Sequence, residues 1–141
     1  MNTRLLPCLL FFAFAFSACS RPGSEIYAAI FGKPAENCVK VINSTDQLVP
    51  KMDCCIWLEF KTCPTELRRI CGLYNYEARH CAIADTAAYA TVIGEEPGWW
   101  KPYTLGDSVY FLTDLKPDVT SPHYLLFARD SMHVFYCDMA D

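Results

Sequence analysis

His123-Tyr124-Leu125-Leu126-Phe127-Ala128-Arg129-Asp130-Ser131-Met132-His133-Val134-Phe135-Tyr136-Cys137 is two apolar runs parted by two polar residues, Asp130 and Ser131. Val, Leu, Phe and Tyr fit a pleated, buried surface, so the pattern predicts a tight antiparallel hairpin. The turn holds no glycine, which leaves its type open. Ser108 to Thr113 has the same character. The C-terminal half is therefore expected to be an antiparallel meander. One face of such a sheet needs a cover, supplied by a short helix or by a curled continuation of the sheet.

Upstream the period changes. Cys63, Leu67, Ile70, Cys71 and Tyr74 stack on one face of a helix. Pro64 suits its first turn, Glu66 complements its positive end and Gly72 suits its exit. Arg68 and Arg69 occupy the opposite face and are expected in solvent. Cys54 to Phe60, with Ile56, Trp57, Leu58 and Phe60, reads as a buried strand. Glu25 to Phe31 and Cys38 to Ile42 are shorter strand candidates, separated by the turn residues Gly32, Lys33 and Pro34. Cys81 to Ile93 mixes helix-favouring alanines with strand-favouring Tyr89, Thr91, Val92 and Ile93, and reads as helix or loop running into strand. Glu95 to Gly106 is a long ordered loop carrying Trp99, Trp100 and Tyr103. The expected fold class is α+β: a small disulfide-stapled domain with an antiparallel sheet and one short helix packed against it.

The staples follow from compartment. Arg4, the apolar run Leu5 to Phe16 and the small residues Ser17 and Ala18 form an export signal, residues 1–19, with cleavage near 18–20. About a dozen apolar residues are too few for a membrane span, which takes roughly 20. No later run approaches that length, and residues 20–141 are expected to be one cysteine-rich secreted domain. Of nine cysteines, Cys8 leaves with the signal. Cys38, Cys54, Cys55, Cys63, Cys71, Cys81 and Cys137 are disulfide candidates in an oxidising space, joined by Cys19 if cleavage spares it. Cys54 and Cys55 point to opposite faces of a strand and bridge different partners. Cys38 and Cys137 bracket the domain and could tie its ends, while Cys54 or Cys55 could reach Cys63, Cys71 or Cys81; sequence leaves the connectivity open. A zinc site from Cys63, Cys71, His80 and Cys81 has spacings of eight, nine and one, unlike the short-spaced ligand pairs of zinc modules. No metal and no cofactor are expected.

A net charge of -4 argues against nucleic acid and anionic membranes, which select basic patches. Asn43-Ser44-Thr45 is an N-glycosylation sequon that would mark a surface loop in a eukaryotic secretory pathway. Phe16-Ser17-Ala18-Cys19-Ser20 resembles the lipobox of bacterial lipoproteins, which implies acylation at Cys19 and an envelope role as inhibitor or immunity protein. Asp53-Cys54-Cys55 resembles the Asp-x-Cys-Cys segment of secreted phospholipases A2. Leu58 and Glu59 stand where that family has its catalytic His and Asp, so the activity does not carry over. No Gly-x-Ser-x-Gly elbow, phosphate loop or His-Glu-x-x-His helix is present, and no catalytic residue is assigned.

Gly98-Trp99-Trp100-Lys101-Pro102-Tyr103 carries the binding signal. Large aromatics on a loop anchor protein interfaces, and at least one of two adjacent tryptophans is expected to be structural. In length, export signal and cysteine density the chain resembles secreted effectors and venom or saliva proteins. That resemblance implies a non-enzymatic protein binding an extracellular or host protein through Trp99, Trp100 and Tyr103. The alternative is a carrier of a small apolar ligand, since His123 to Cys137 resembles the final hairpin of some lipocalins.

Overall fold

A computed structural model describes residues 21–47, 54–74, 76–86, 96–114, 123–128 and 132–140. The segment read as an export signal, Cys19, the residues Asp130-Ser131 read as a turn and Tyr89 to Ile93 lie outside the described residues. Six strands form one antiparallel sheet: β1 (Lys40–Gln47), β2 (Cys54–Lys61), β3 (Tyr76–Ala82), β4 (Ser108–Asp114), β5 (His123–Phe127) and β6 (His133–Ala140). Their order is β1-β2-β6-β5-β4-β3. Helices α1 (Gly23–Phe31), α2 (Pro64–Leu73) and the single turn α3 (Ile83–Thr86) accompany them, with a 3-10 turn at Pro102–Leu105. The α+β class and the C-terminal meander stand as expected. His123 pairs with Asp138 and Phe127 with Val134. That register centres between residues 130 and 131, where sequence puts the turn.

Alternation sends the central strands' side chains to two opposed cores. One side carries Leu58 and Phe60 of β2, Leu112 of β4, Leu125 of β5 and Val134 and Tyr136 of β6, covered by Ile26, Tyr27 and Phe31 of α1 and Leu67 and Ile70 of α2. The other carries Cys55, Trp57, Val109, Phe111, Tyr124, Leu126, Phe135 and Cys137, covered by Trp100 with Trp99, Leu105, Ile83 and Cys81 around it. We call these the helix face and the loop face. Burial on both sides explains why β2 reads as nearly continuous apolar sequence.

Three local expectations change. Glu25 to Phe31 is helix, not strand. Ile26, Tyr27, Ile30 and Phe31 recur at spacings of one, three and one, which gather on one helix face, and Ala28 and Ala29 favour helix. Seven residues are too short for strand and helix periods to separate. The chain enters on Pro22, whose carbonyl accepts from the N–H groups of Glu25 and Ile26. It leaves at Gly32, where φ is 75° and the N–H donates to the Ala28 carbonyl. That positive φ suits glycine. Second, two helices rather than one cover the sheet. Third, Cys81 and Ala82 end a strand, β3, that begins at Tyr76 before the chain enters the helical turn α3; the strand expected at Tyr89 to Ile93 lies outside the described residues.

Cys38 and Cys63 form a disulfide across 25 residues, with Cα atoms 5.8 Å apart. It ties the approach to β1 to the N-cap of α2, and a closed loop of that length stabilises by roughly 3 kcal/mol. Sequence leaves the connectivity open, with Cys38 to Cys137 and Cys54 or Cys55 to Cys63, Cys71 or Cys81 as possibilities, and this bridge is none of them. Cys137 instead lies in the loop-face core, on the opposite side of the sheet from that bridge. Cys55, Cys71, Cys81 and Cys137 stand as thiols.

Candidate functional site

The aromatic loop divides its three large side chains by depth. Trp100 is buried, its ring edge-on to Trp57 at 4.6 Å and to Phe135 at 5.1 Å between centroids. Its N–H donates to the Pro97 carbonyl at 2.8 Å, which closes the Pro97-Gly98-Trp99 turn. Trp99 is half-buried against the same cluster, and its indole Nε1 donates to Thr45 Oγ1 on β1 at 3.3 Å. Tyr103 is 62% exposed. The 3-10 turn that carries it is closed at both ends. Thr104 donates from N–H and hydroxyl to the Lys101 carbonyl, and Gly106, at φ 115°, donates to the Tyr103 carbonyl. Of the three residues read as binding, Trp100 is thus a packing anchor, Trp99 a strut to β1, and Tyr103 the presented group.

Two histidines meet carboxylates, one on each face. On the loop face His133 Nε2 lies 2.8 Å from Glu59 Oε1, while Glu59 Oε2 accepts from Asn43 Nδ2 at 2.6 Å. Both Glu59 oxygens are engaged and the carboxylate is almost fully buried. On the helix face His123 is the cross-strand partner of Asp138 and is ringed by Tyr74, Tyr76 and Tyr136 at 4.9, 5.6 and 6.3 Å. Burial pushes the Asp138 carboxyl above its ordinary range, opposed by His123 and by the Tyr136 hydroxyl, which donates to it at 3.2 Å. Glu59 and His133 lie 74 residues apart in the chain, while His123 and Asp138 face each other across the predicted hairpin once its register is fixed; sequence reasoning named neither couple.

Arg69 is not in solvent. Its Nε and Nη2 donate to Glu66 Oε2 and Oε1 at 2.9 and 2.6 Å, and its Nη1 donates to the Phe31 carbonyl at 2.8 Å. Tyr27 hydroxyl and the Ala35 N–H also donate to the fully buried Glu66. This fork-to-fork pair locks α1, α2 and their connection together. The Arg69 hydrogen bonds hold the Glu66 carboxyl down at about 2, against the desolvation that opposes them. Burial pushes Tyr27 well above the usual phenol range. Arg68, as expected, is exposed and bonds only to the Pro64 carbonyl, at 3.3 Å.

The thiols are chemically quiet. Burial pushes the thiol pKa of Cys71, Cys81 and, most of all, Cys137 upward. A thiol kept protonated is a poor nucleophile and a poor metal ligand. Cys63, Cys71, His80 and Cys81 do not converge. Among the described residues the metal-type ligand atoms that do come together are those of Glu36, Cys38 and Cys63, and the last two are joined as the disulfide. Asn43 of the sequon lies in the edge strand β1 rather than in a loop, and its Nδ2, the atom a glycan would take, donates to Glu59.

An open-mouthed cleft of about 400 Å³ lies between α1 and β1, lined by Gly23, Ser24, Tyr27, Pro34, Val39, Val41, Ile42 and Ser44. It opens on the helix-face side of β1, away from the aromatic loop and from the His133–Glu59 couple. No described helix is long and apolar enough to cross a membrane. Comparisons with protein-family models, with curated proteins and with solved structures returned no match to this chain.

Proposed function

We propose that the chain is an exported, non-enzymatic interaction protein that engages an extracellular or host protein through the loop from Trp99 to Leu105. The observation that carries this reading is Tyr103, 62% exposed on a turn that Trp100 pins to the sheet from beneath. A large aromatic held ready on a fixed backbone loses little conformational entropy on docking, which is what interface anchors have in common. Export is supported by the Cys38–Cys63 disulfide, since such bonds persist in oxidising compartments. The absence of enzymatic activity is supported by the protonated thiols and by the full engagement of the Glu59 carboxylate.

The test is capture by cross-linking from the fluid into which the native protein is exported, comparing wild type with Tyr103→Ala. Loss of an interface anchor costs about 2 kcal/mol or more, which is roughly a 30-fold fall in affinity. The variant should unfold at the same temperature as wild type. A partner bound with equal strength by Tyr103→Ala and by Trp99→Ala would overturn the assignment of the loop.

A further inference from the structure

At the edge of the sheet, where the N-terminal end of α1 meets β1, the described residues leave an open cleft. We propose that this cleft is a binding site for a neutral, amphipathic small molecule with an apolar body and a few hydrogen-bonding groups. Its volume of about 400 Å³ falls in the lower part of the range of roughly 300–1,000 Å³ found for ligand pockets. None of its eight lining residues is charged, in a chain with 28 Asp, Glu, Lys and Arg residues. Val39, Val41, Ile42 and the ring of Pro34 supply its apolar lining, and the hydroxyls of Ser24 and Ser44 with backbone groups supply a polar lining of similar extent. A charged guest would surrender its hydration with no opposite charge to meet it. A neutral guest buries its apolar body and keeps a few hydrogen bonds.

Two features make the cleft a formed site rather than a gap between loosely packed elements. At Gly23 an added Cβ would come within 2.6 Å of Val41 Cγ1 and 2.8 Å of Ser44 Oγ, so glycine is what lets the helix approach the strand so closely there. Tyr27, which closes the inner end, has its hydroxyl fixed at 2.7 Å on the buried Glu66. Tyr27 is therefore held by the same network that joins the two helices. Such preformed walls lower the entropic cost of binding.

The site is independent of the Tyr103 loop, so each can fail alone. The experiment is a fluorescence titration of the native protein with N-phenyl-1-naphthylamine, a neutral aromatic amine that brightens in apolar surroundings. Wild type should show saturable binding of one probe per chain. Ile42→Glu places a charge at the mouth, on a residue already 40% exposed, and should weaken binding at least tenfold without moving the unfolding midpoint. Ser24→Ala should weaken it a few-fold, and Tyr103→Ala should leave it unchanged. Absence of saturable binding by wild type, or equal affinity in folded Ile42→Glu, would overturn the proposal.

Discussion

The two faces of one sheet are finished by different chemistry. The helix face carries a buried charge, yet every donor and acceptor around that charge is matched: Glu66 receives Arg69, Tyr27 and Ala35, and Arg69 also reaches the Phe31 carbonyl. Across the sheet, the loop face buries the Glu59 carboxylate, held by His133 and Asn43, and leaves Trp57 Nε1 without a hydrogen-bond partner among the described residues. It also holds the thiols of Cys55 and Cys137. Each unmatched buried polar atom costs on the order of 1–3 kcal/mol. The difference teaches where stability and presentation reside. The helix face is cross-linked covalently by Cys38–Cys63 and electrostatically by Glu66 with Arg69, while the loop face supports the exposed Tyr103 through rings packed edge-on.

The largest break in that comparison is removal of Glu66. In Glu66→Ala the Arg69 guanidinium, the Tyr27 hydroxyl and the Ala35 N–H lose a common partner inside the core, and a loss of about 3–5 kcal/mol is expected by urea unfolding. The same carboxylate has an acid signature. Its folded value of about 2 lies below the ordinary 4.5, so its contribution is complete above the unfolded value and disappears as pH falls through the interval between the two. The shift corresponds to about 3 kcal/mol. Unfolding midpoints recorded from pH 5 to pH 2 should drop steeply in wild type and show a much flatter acid limb in Glu66→Gln. Equal slopes would mean that Arg69 is satisfied elsewhere.

The matching disruption on the loop face is Trp100→Ala. It removes an indole edge-on to Trp57 and Phe135 and leaves a cavity under the loop, at a cost of about 3 kcal/mol. Hydrogen exchange separates the two faces. Amides of Lys101 to Gly106 should lose protection in this variant, while those of α1 and α2 keep theirs. Uniform loosening of both would show that the faces melt as one unit and that the distinction drawn here has no energetic meaning.

How far these features were legible depends on how local their causes are. The hairpin from His123 to Cys137, the strand at Cys54 and the helix after Cys63 each carry a period or a punctuation signal within a dozen residues, and each is found where sequence puts it. Burial of one of the two tryptophans was expected; which one was not, because Trp99 and Trp100 differ only in the partner each meets across the fold. Arg69 reads as solvent-facing from helical phase alone, and it is drawn inward by a Glu three residues earlier and by the Phe31 carbonyl at the end of a helix that sequence read as a strand. One local misreading thus concealed the network and the cleft together. The cysteine pairing was out of reach for a different reason: Cys38 and Cys63 face each other two residues beyond the Lys40–Lys61 pair of the β1–β2 ladder, and that register is not written in either strand alone.

The smallest expected effect tests the second buried carboxylate. Asp138 differs from Glu66 in sign: burial raises its folded ionisation above the ordinary 3.8, so the folded state holds this proton more tightly than the unfolded state. Its ionised form therefore costs stability at neutral pH, and that cost fades as pH falls below the unfolded value. Asp138→Asn removes the charge and keeps an oxygen to accept from Tyr136. A gain of under about 1 kcal/mol is expected at pH 7, shrinking toward pH 3. The opposite result, a loss of more than 1 kcal/mol at neutral pH, would mean that the charge is held there by His123 within the tyrosine ring. A charged His–Asp couple kept against its desolvation cost at the rim of the helix face would be a functional arrangement. The search for the binding surface would then move from Tyr103 to the opposite face of the sheet.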